Sequence, residues 1–435
     1  MRTAVAPGAA APERILTERE YRVQVWRDLR RNYIANLAHG LLGMTGFRLV
    51  SAPTFVPAYV FLLSGSQLAV GFALSAQFLG MALSSIWGAT LIEHRRRVMP
   101  MVHFVGWMMR VQILALALSA WWLTGGEALV AACIFLTLFG FFGGMQGVSF
   151  HFLLSKVIPV NKRGRLTGMR NFLGGLTAAG VAWLGGKYLV GANAFGNGYA
   201  STFFVAFVLT SLGITALSFV REPASPQVRV RRRLLGSLRD LPELLRADPT
   251  FTRFFIARAL AAFGMIAVPF YAIYASRYVD LSGTMLGALS VAFLLAQTFS
   301  NLVWGRMADR YGNRLVFLVS VSLWAAGTVL LLVAGNLPGF VVAFGALGAG
   351  LGGFQVGSQN LVLEFGSRSD LPMRIAVSDT ACYAMMASGP VLGGLLAQTL
   401  GFTIVFCIAI LVKSLAVAAI LSVPEPRRRR LVRTL

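Results

Sequence analysis

The chain has 435 residues, of which 57% are hydrophobic and only 13% charged, with a formal net charge of +23. A soluble domain carries about 45–50% apolar and 25% charged residues, so this composition excludes an ordinary water-soluble protein. The positive charge would suggest a nucleic-acid partner in a soluble chain, but here it is confined almost wholly to the polar stretches between long apolar runs, so no nucleic-acid role is expected.

Residues 1–31 form a basic tail in which Arg14, Arg19, Arg22, Arg27, Arg30 and Arg31 alternate with Ile15, Leu16, Val23, Trp26 and Leu29. The tail lacks the apolar core and small-residue cleavage site of a signal peptide. Two readings stay open, a helix lying on the membrane surface and a solvated tail that fixes orientation.

Twelve apolar runs follow, each of about 20 residues or more, enough to cross a hydrocarbon layer about 30 Å thick. Six lie at 33–62, 67–91, 98–123, 128–155, 166–190 and 199–220, and six at 252–276, 283–307, 315–334, 338–363, 373–399 and 402–422. Helices are expected throughout, because backbone in lipid must satisfy its own hydrogen bonds. The basic stretch 221–250, with Pro223, Pro226 and Arg231, Arg232 and Arg233, separates two six-helix bundles at 32–220 and 251–423. Within it, Leu234 to Leu245 reads as an interfacial helix limited by Pro242, and a second basic tail covers 424–435.

With the N-terminus placed in the cytoplasm, all of the 39 Lys and Arg except Arg48, Arg110, Lys187, Arg277 and Lys413 fall on the cytoplasmic side. The positive-inside rule therefore puts both termini in the cytoplasm and makes this a multi-pass protein of the cytoplasmic membrane, its basic surface touching anionic lipid headgroups. Cys133, Cys382 and Cys407 lie inside apolar runs without CxxC spacing and read as packing residues. The histidines, His39, His94, His103 and His151, show no metal-site pattern, and there is no phosphate-binding loop. No enzyme, cofactor or metal site is expected.

The chain also repeats itself. Gly143, Gly144, Met145 and Gln146 match Gly352, Gly353, Phe354 and Gln355, each pair 209 positions apart, and Arg165 and Arg374 keep the same separation. Gly88 matches Gly305 at an offset of 217. The two halves of the chain therefore repeat one another.

The stretch Gly305, Arg306, Met307, Ala308, Asp309, Arg310, Tyr311, Gly312, Asn313, Arg314 resembles the G-x-L-A-D-R-x-G-R-[KR] loop signature of the major facilitator superfamily, whose members are secondary transporters with two six-helix halves. Gly305 would let two helices approach and Gly312 would allow a tight turn. Asp309 would face the positive end of a helix dipole in the opposing half, with Arg310 and Arg314 at the headgroups. The resemblance implies that this cluster holds the cytoplasmic side shut in one conformation. The copy that begins at Gly88 departs from the pattern, with Ile92 at the aspartate position and Glu93, His94 and Arg95 to Arg97 as a partial substitute.

The repeat also places Arg170 and Asp379 209 positions apart, at equivalent sites on opposite sides of a central axis. They would meet as an ion pair when an inner gate closes, aided by Arg165 and Arg374. A headgroup contact for Arg170 and a helix-start contact for Asp379 are the alternatives.

The resemblance makes the first, fourth, seventh and tenth helices the cavity lining. Gln146 and Gln355 lie near mid-membrane there and offer amides either to a solute or to a neighbouring helix. Charge at that depth is costly and so suspect. Arg48, Arg258, Arg110 and Lys413 are all cationic, with His39 nearer the cytoplasmic end. Their surplus suggests an anionic small-molecule substrate countered by Arg48. An exporter of drugs or metabolites coupled to protons, with His39 or Asp379 as carrier, is the alternative. Its glycine-proline pattern occurs as Gly389, Pro390, Gly393 and Gly394 in the eleventh span rather than in the fifth. A transporter-like sensor or scaffold without flux is the reading from another class. The transport unit is expected to be a monomer.

Overall fold

The structure is a computed structural model that describes residues 16–92, 95–226, 245–365 and 371–425. The described residues contain helices and turns but no strand. Glu93 and His94, and the interfacial helix expected from Leu234 onward as far as residue 244, lie outside them.

A short helix, α1 (Glu18–Arg27), opens on a capping box in which Thr17 and Glu20 satisfy each other's backbone N–H groups. The first long span is a broken helix, α2 (Leu29–Ser51) and α3 (Phe55–Ser64). The break falls at Pro53, which has no N–H to give to a helix. Next come α4 (Gln67–Ile92), α5 (Met99–Trp122), α6 (Gly125–Val157) and α7 (Val160–Leu184), the last prolonged by a π-helical turn at Gly185–Val190. Helix α8 (Gly198–Leu217) is capped by the Asn197 side chain.

The second part begins with α9 (Pro249–Phe263), capped by Asp248 with proline at its first position. A 3-10 stretch, Gly264–Phe270, joins it to α10 (Tyr271–Ala275), so the seventh span is broken as the first one is. Then follow α11 (Gly283–Tyr311), α12 (Asn313–Val333), α13 (Leu337–Val362), α14 (Leu371–Thr399) and α15 (Phe402–Leu421).

Among the described residues, eleven helices are long and apolar enough to cross a membrane. Helix α7 is outside that set because Lys162, Arg163, Arg165 and Arg170 occupy its first three turns. Apolar side chains face outward along the bundle, as with Phe72, Leu79 and Leu83 on α4. In water they would be a liability; against acyl chains they are expected.

Packing repeats between the two parts. Helix α2 packs on α7 and α8, α5 on α6 and α8, and α4 on α6. Likewise α9 packs on α14 and α15, α12 on α13 and α15, and α11 on α13. With α2–α3 and α9–α10 each taken as one unit, the second set of pairings reproduces the first. The parts meet through α4 against α14 and α7 against α11.

Those crossings are built on glycine. A Cβ on Gly71 would overlap the Pro390 carbonyl, one on Gly394 would overlap Gln67, and one on Gly186 would overlap Gly283. The Gly389 to Gly394 pattern thus belongs to a helix crossing. Pro390 also frees its neighbourhood for a cross-part bond, Val391 N donating to Ser75 Oγ at 2.8 Å. The glycine clusters at 140–147 and 345–357 seat helices within each part: Gly140 faces Gln77, Gly348 faces Phe293 and Gly350 faces Trp324.

Candidate functional site

The polar and aromatic contacts between the parts run from the far end of the bundle, where α4 and α11 begin, to its middle. Thr54 and Ser290 share a hydroxyl hydrogen bond at 2.7 Å, Ser66 donates to Gln398 at 3.1 Å, and Arg48 Nη1 donates to Thr298 Oγ1 at 3.2 Å. The ring pair Phe172–Phe299, with centroids 5.7 Å apart, marks the last such contact on the α7–α11 side. Beyond it, toward the opposite, basic end, the charged contacts stay within one part or the other.

On that basic side each part holds charged contacts between equivalent helices. In the first part Arg170 on α7 donates from Nη2 to His39 Nδ1 on α2 at 3.2 Å, and both groups lie against the Phe150 ring. Since a guanidinium can only donate, His39 must carry its proton on Nε2 and accept at Nδ1. Buried His39 Nε2 and Arg170 Nε have no hydrogen-bond partner.

In the second part Arg258 on α9 donates from Nη2 to Asp379 Oδ1 on α14 at 2.7 Å and from Nη1 to Ser378 Oγ at 2.5 Å. The Arg258 side chain is buried while that of Asp379 is 42% exposed, so the pair presents its acid to the opening. One turn nearer the end, Arg374 donates to Asp248 Oδ2 at 2.6 Å and lies over Phe251.

The expected meeting of Arg170 with Asp379 is therefore absent from this conformation, because each is held within its own part. The spacing argument identified equivalent positions but not their nearest partners, which are the first helix of each part. Arg165 is exposed, and Arg374 serves α9 through Asp248, which also caps that helix.

The signature stretch is not a loop. Residues 305–311 are the last turns of α11, and Gly312 alone makes the turn at φ 94° before α12 begins. Gly305 has open space where a Cβ would stand, so it mediates no close helix approach here. Asp309 is exposed, Arg310 lies over Tyr311, and Arg314 donates to the carbonyls of Ile420 and Leu421 at the end of α15. Gly88 is a helical residue of α4.

The deep cations are held by the protein. Arg110, fully buried, donates to the Thr210 and Gly106 carbonyls at 2.7 and 2.6 Å and lies over Phe47, with Nη2 left without a partner. Lys413, also fully buried, donates to Thr328 Oγ1 at 2.9 Å over the Trp324 ring. The repeat-matched amides differ: Gln146 is buried with Oε1 unpartnered, whereas Gln355 is exposed.

The sequence reading passed over a buried latch at the basic end. Lys156 Nζ pairs with Glu222, whose carboxylate also accepts from the Val98 and Met99 N–H groups at the start of α5. Glu222 stands beside Arg221 and Pro223, and an acid in so basic a stretch was the available signal. Tyr21 donates to the Lys156 carbonyl at 3.0 Å, and burial, with Glu222 nearby, pushes its phenol up from the usual range.

Comparison with known proteins follows the same lines. The model of the Major Facilitator Superfamily matches residues 254–434. The nucleoside transporter NupG, in a single-site mutant form, superposes with a TM-score of 0.69 at 12% identity, over 89% of this chain and 99% of that one. The match to the Major Facilitator Superfamily thus covers the second part of the chain, and the likeness in fold extends over both parts. The chain is 32% identical over 133 residues to the "Tetracenomycin C resistance and export protein" of Streptomyces glaucescens, covering 29% of this chain and 24% of that protein. It is 31% identical over 156 residues to "Multidrug resistance protein MdtG" of Dickeya zeae, covering 35% and 38%. Both matches thus span well under half of the relative. A longer one, 26% over 363 residues, covers 80% of this chain and 84% of the "Multi-drug resistance efflux pump PmrA homolog" of Lactococcus lactis.

Proposed function

We propose that the protein is a proton-coupled secondary transporter that exports small, drug-like organic solutes across the cytoplasmic membrane by alternating access. The observation that carries this reading is the pair of contacts His39–Arg170 and Arg258–Asp379, each of which one proton dissolves. A proton on Nδ1 removes the acceptor of His39 and sets two cations side by side. A proton on Asp379 removes the charge that holds Arg258. His39 is faced by Arg170, Arg110 and His103, and Asp379 by Arg258, Cys382 and Tyr383. Protonation of either therefore alters what ties α2 to α7 or α9 to α14.

Relatives named for drug resistance and export support this reading over the anionic solute suggested by the cation surplus. The side-chain contacts support it too. Arg258 has its own carboxylate, Arg110 and Lys413 donate to protein oxygens, and Arg48 donates to Thr298, so each deep cation already has a protein partner. Gln146, Gln355 and Arg48 remain the proposed solute contacts.

The repeated packing supports twelve spans in two six-helix halves, 32–220 and 251–423, with α7 and its π-helical turn as the fifth span. The basic end is then the cytoplasmic end, both termini lie there, and one chain is the transport unit. Contact between the parts that runs from the far end to mid-bundle supports an inward-open state, in which Asp309 would be released from the gate.

Proteoliposomes loaded with an aromatic cationic dye test the proposal. An imposed pH gradient should drive uphill dye movement by the wild type, while Asp379→Asn should lose uphill movement and keep dye-for-dye exchange. Dye binding with no flux under any gradient would overturn transport. Uphill movement that persists without a pH gradient would overturn proton coupling.

A further inference from the structure

We infer that the groove between α1–α2 and α7 at the basic end is a binding site for an anionic phospholipid. The groove has a volume of about 500 Å³ and is lined by Arg27, Arg30, Lys162 and Arg165 together with Trp26, Leu29, Tyr33, Ile34 and Met169. No carboxylate is among the lining residues. Arg27 pairs with Asp28 at 3.5 Å, and Asp28 is equally close to Arg221. The side chains of Arg30, Lys162 and Arg165 have no ion pair or hydrogen bond among the described residues. Three of the four lining cations thus meet the groove with their charge uncompensated.

The chemistry is graded with depth. Lys162 and Arg165 lie in the first two turns of α7, and Arg27 and Arg30 lie where α1 hands over to α2. Ile34 and Met169 lie one turn, about 6 Å, beyond Arg30 and Arg165 along their helices at 1.5 Å per residue. Both are exposed, at 56% and 36%. Trp26 and Tyr33 flank Arg27 and Arg30 along the chain, and aromatic rings with one polar edge are favoured at a membrane surface. Cations at the mouth, aromatic rings at the rim and aliphatic side chains below match a headgroup phosphate, a glycerol ester and an acyl chain in that order. A soluble phosphate or an acidic peptide would use the cations and leave the apolar wall in water, whereas basic recesses between spanning helices suit anionic lipid headgroups. The inference needs only the membrane setting and does not depend on what the protein transports.

Native mass spectrometry of the full chain released from detergent, with phosphatidylglycerol or phosphatidylcholine added, tests it. Wild type should retain phosphatidylglycerol at least tenfold more tightly than phosphatidylcholine. The triple variant Arg30→Gln, Lys162→Gln, Arg165→Gln should lose most of that preference, and Met169→Glu should lose it without removing a cation. Arg30→Lys with Arg165→Lys should keep it, as should Arg246→Gln with Arg253→Gln in the other part. Equal retention of the two lipids would overturn the site. So would competition by inorganic phosphate alone at millimolar concentration, or an equal loss in the Arg246/Arg253 variant. A triple variant that fails to fold leaves Met169→Glu to decide.

Discussion

Arg258 donates to Asp379 at the level of the fold where Arg170 donates to His39, each residue two to three turns from the start of its helix. The first and fifth spans of one part and the seventh and eleventh of the other thus carry one device in two chemistries. In one the cation stands on the later helix and faces a neutral ring; in the other it stands on the earlier helix and faces a carboxylate.

Removing the carboxylate with Asp379→Asn leaves Arg258 buried without its counter-charge. Because Asp379 is half-exposed, the expected loss is about 1–3 kcal/mol rather than the 3–5 of a fully buried pair. The double exchange Arg258→Asp with Asp379→Arg should recover most of that loss in thermal unfolding. An exchange of Arg170 with Asp379 should not, since neither touches the other here.

His39→Gln keeps an acceptor for Arg170 but cannot bind a proton at neutral pH. It should unfold within a few degrees of wild type while flattening the pH profile of transport. His39→Lys sets two cations in a buried site and should lower stability by about 1–3 kcal/mol. A pH profile unchanged in His39→Gln would remove this residue from the coupling scheme.

At the far end, Gly71→Leu and Gly186→Leu each force a side chain into opposing backbone. Overpacking of this kind costs about 1–3 kcal/mol, and each 1.4 kcal/mol is tenfold in a population. The inward-open state should be depleted accordingly. Distances between spin labels placed across the far end should lengthen, and those across the basic end should shorten.

The latch at Lys156 and Glu222 is deeper than either gate pair, with side chains 4% and 3% exposed. Lys156→Met leaves a buried carboxylate that still accepts from α5. It should cost about 3–5 kcal/mol in thermal unfolding and respond little to salt. An effect of under about 1 kcal/mol would mean that water reaches the pair.

Span positions were readable because hydrophobic length is set by the bilayer, and the repeat located equivalent residues because duplicated helices keep their spacing. Helix ends and breaks were harder. Gly305 to Tyr311 read as a loop because its charges suggest water, yet charged residues close a long helix equally well where it leaves the membrane. Arg258 and Asp379 were each singled out but not joined, since pairing depends on which faces of α9 and α14 meet, and periodicity does not fix helix rotation. Glu222 went unnoticed because its partner, Lys156, is 66 positions away across a bundle end.

The Arg48–Thr298 hydrogen bond lies close to the middle of α11, which runs from Gly283 to Tyr311. The helix therefore extends about 20 Å to either side of it at 1.5 Å per residue. A beam pinned near its midpoint has arms of equal length. If the parts tilt about this bond, whatever width one mouth gains the other gives up, so a solute held at the level of Arg48 sees a single doorway that changes sides.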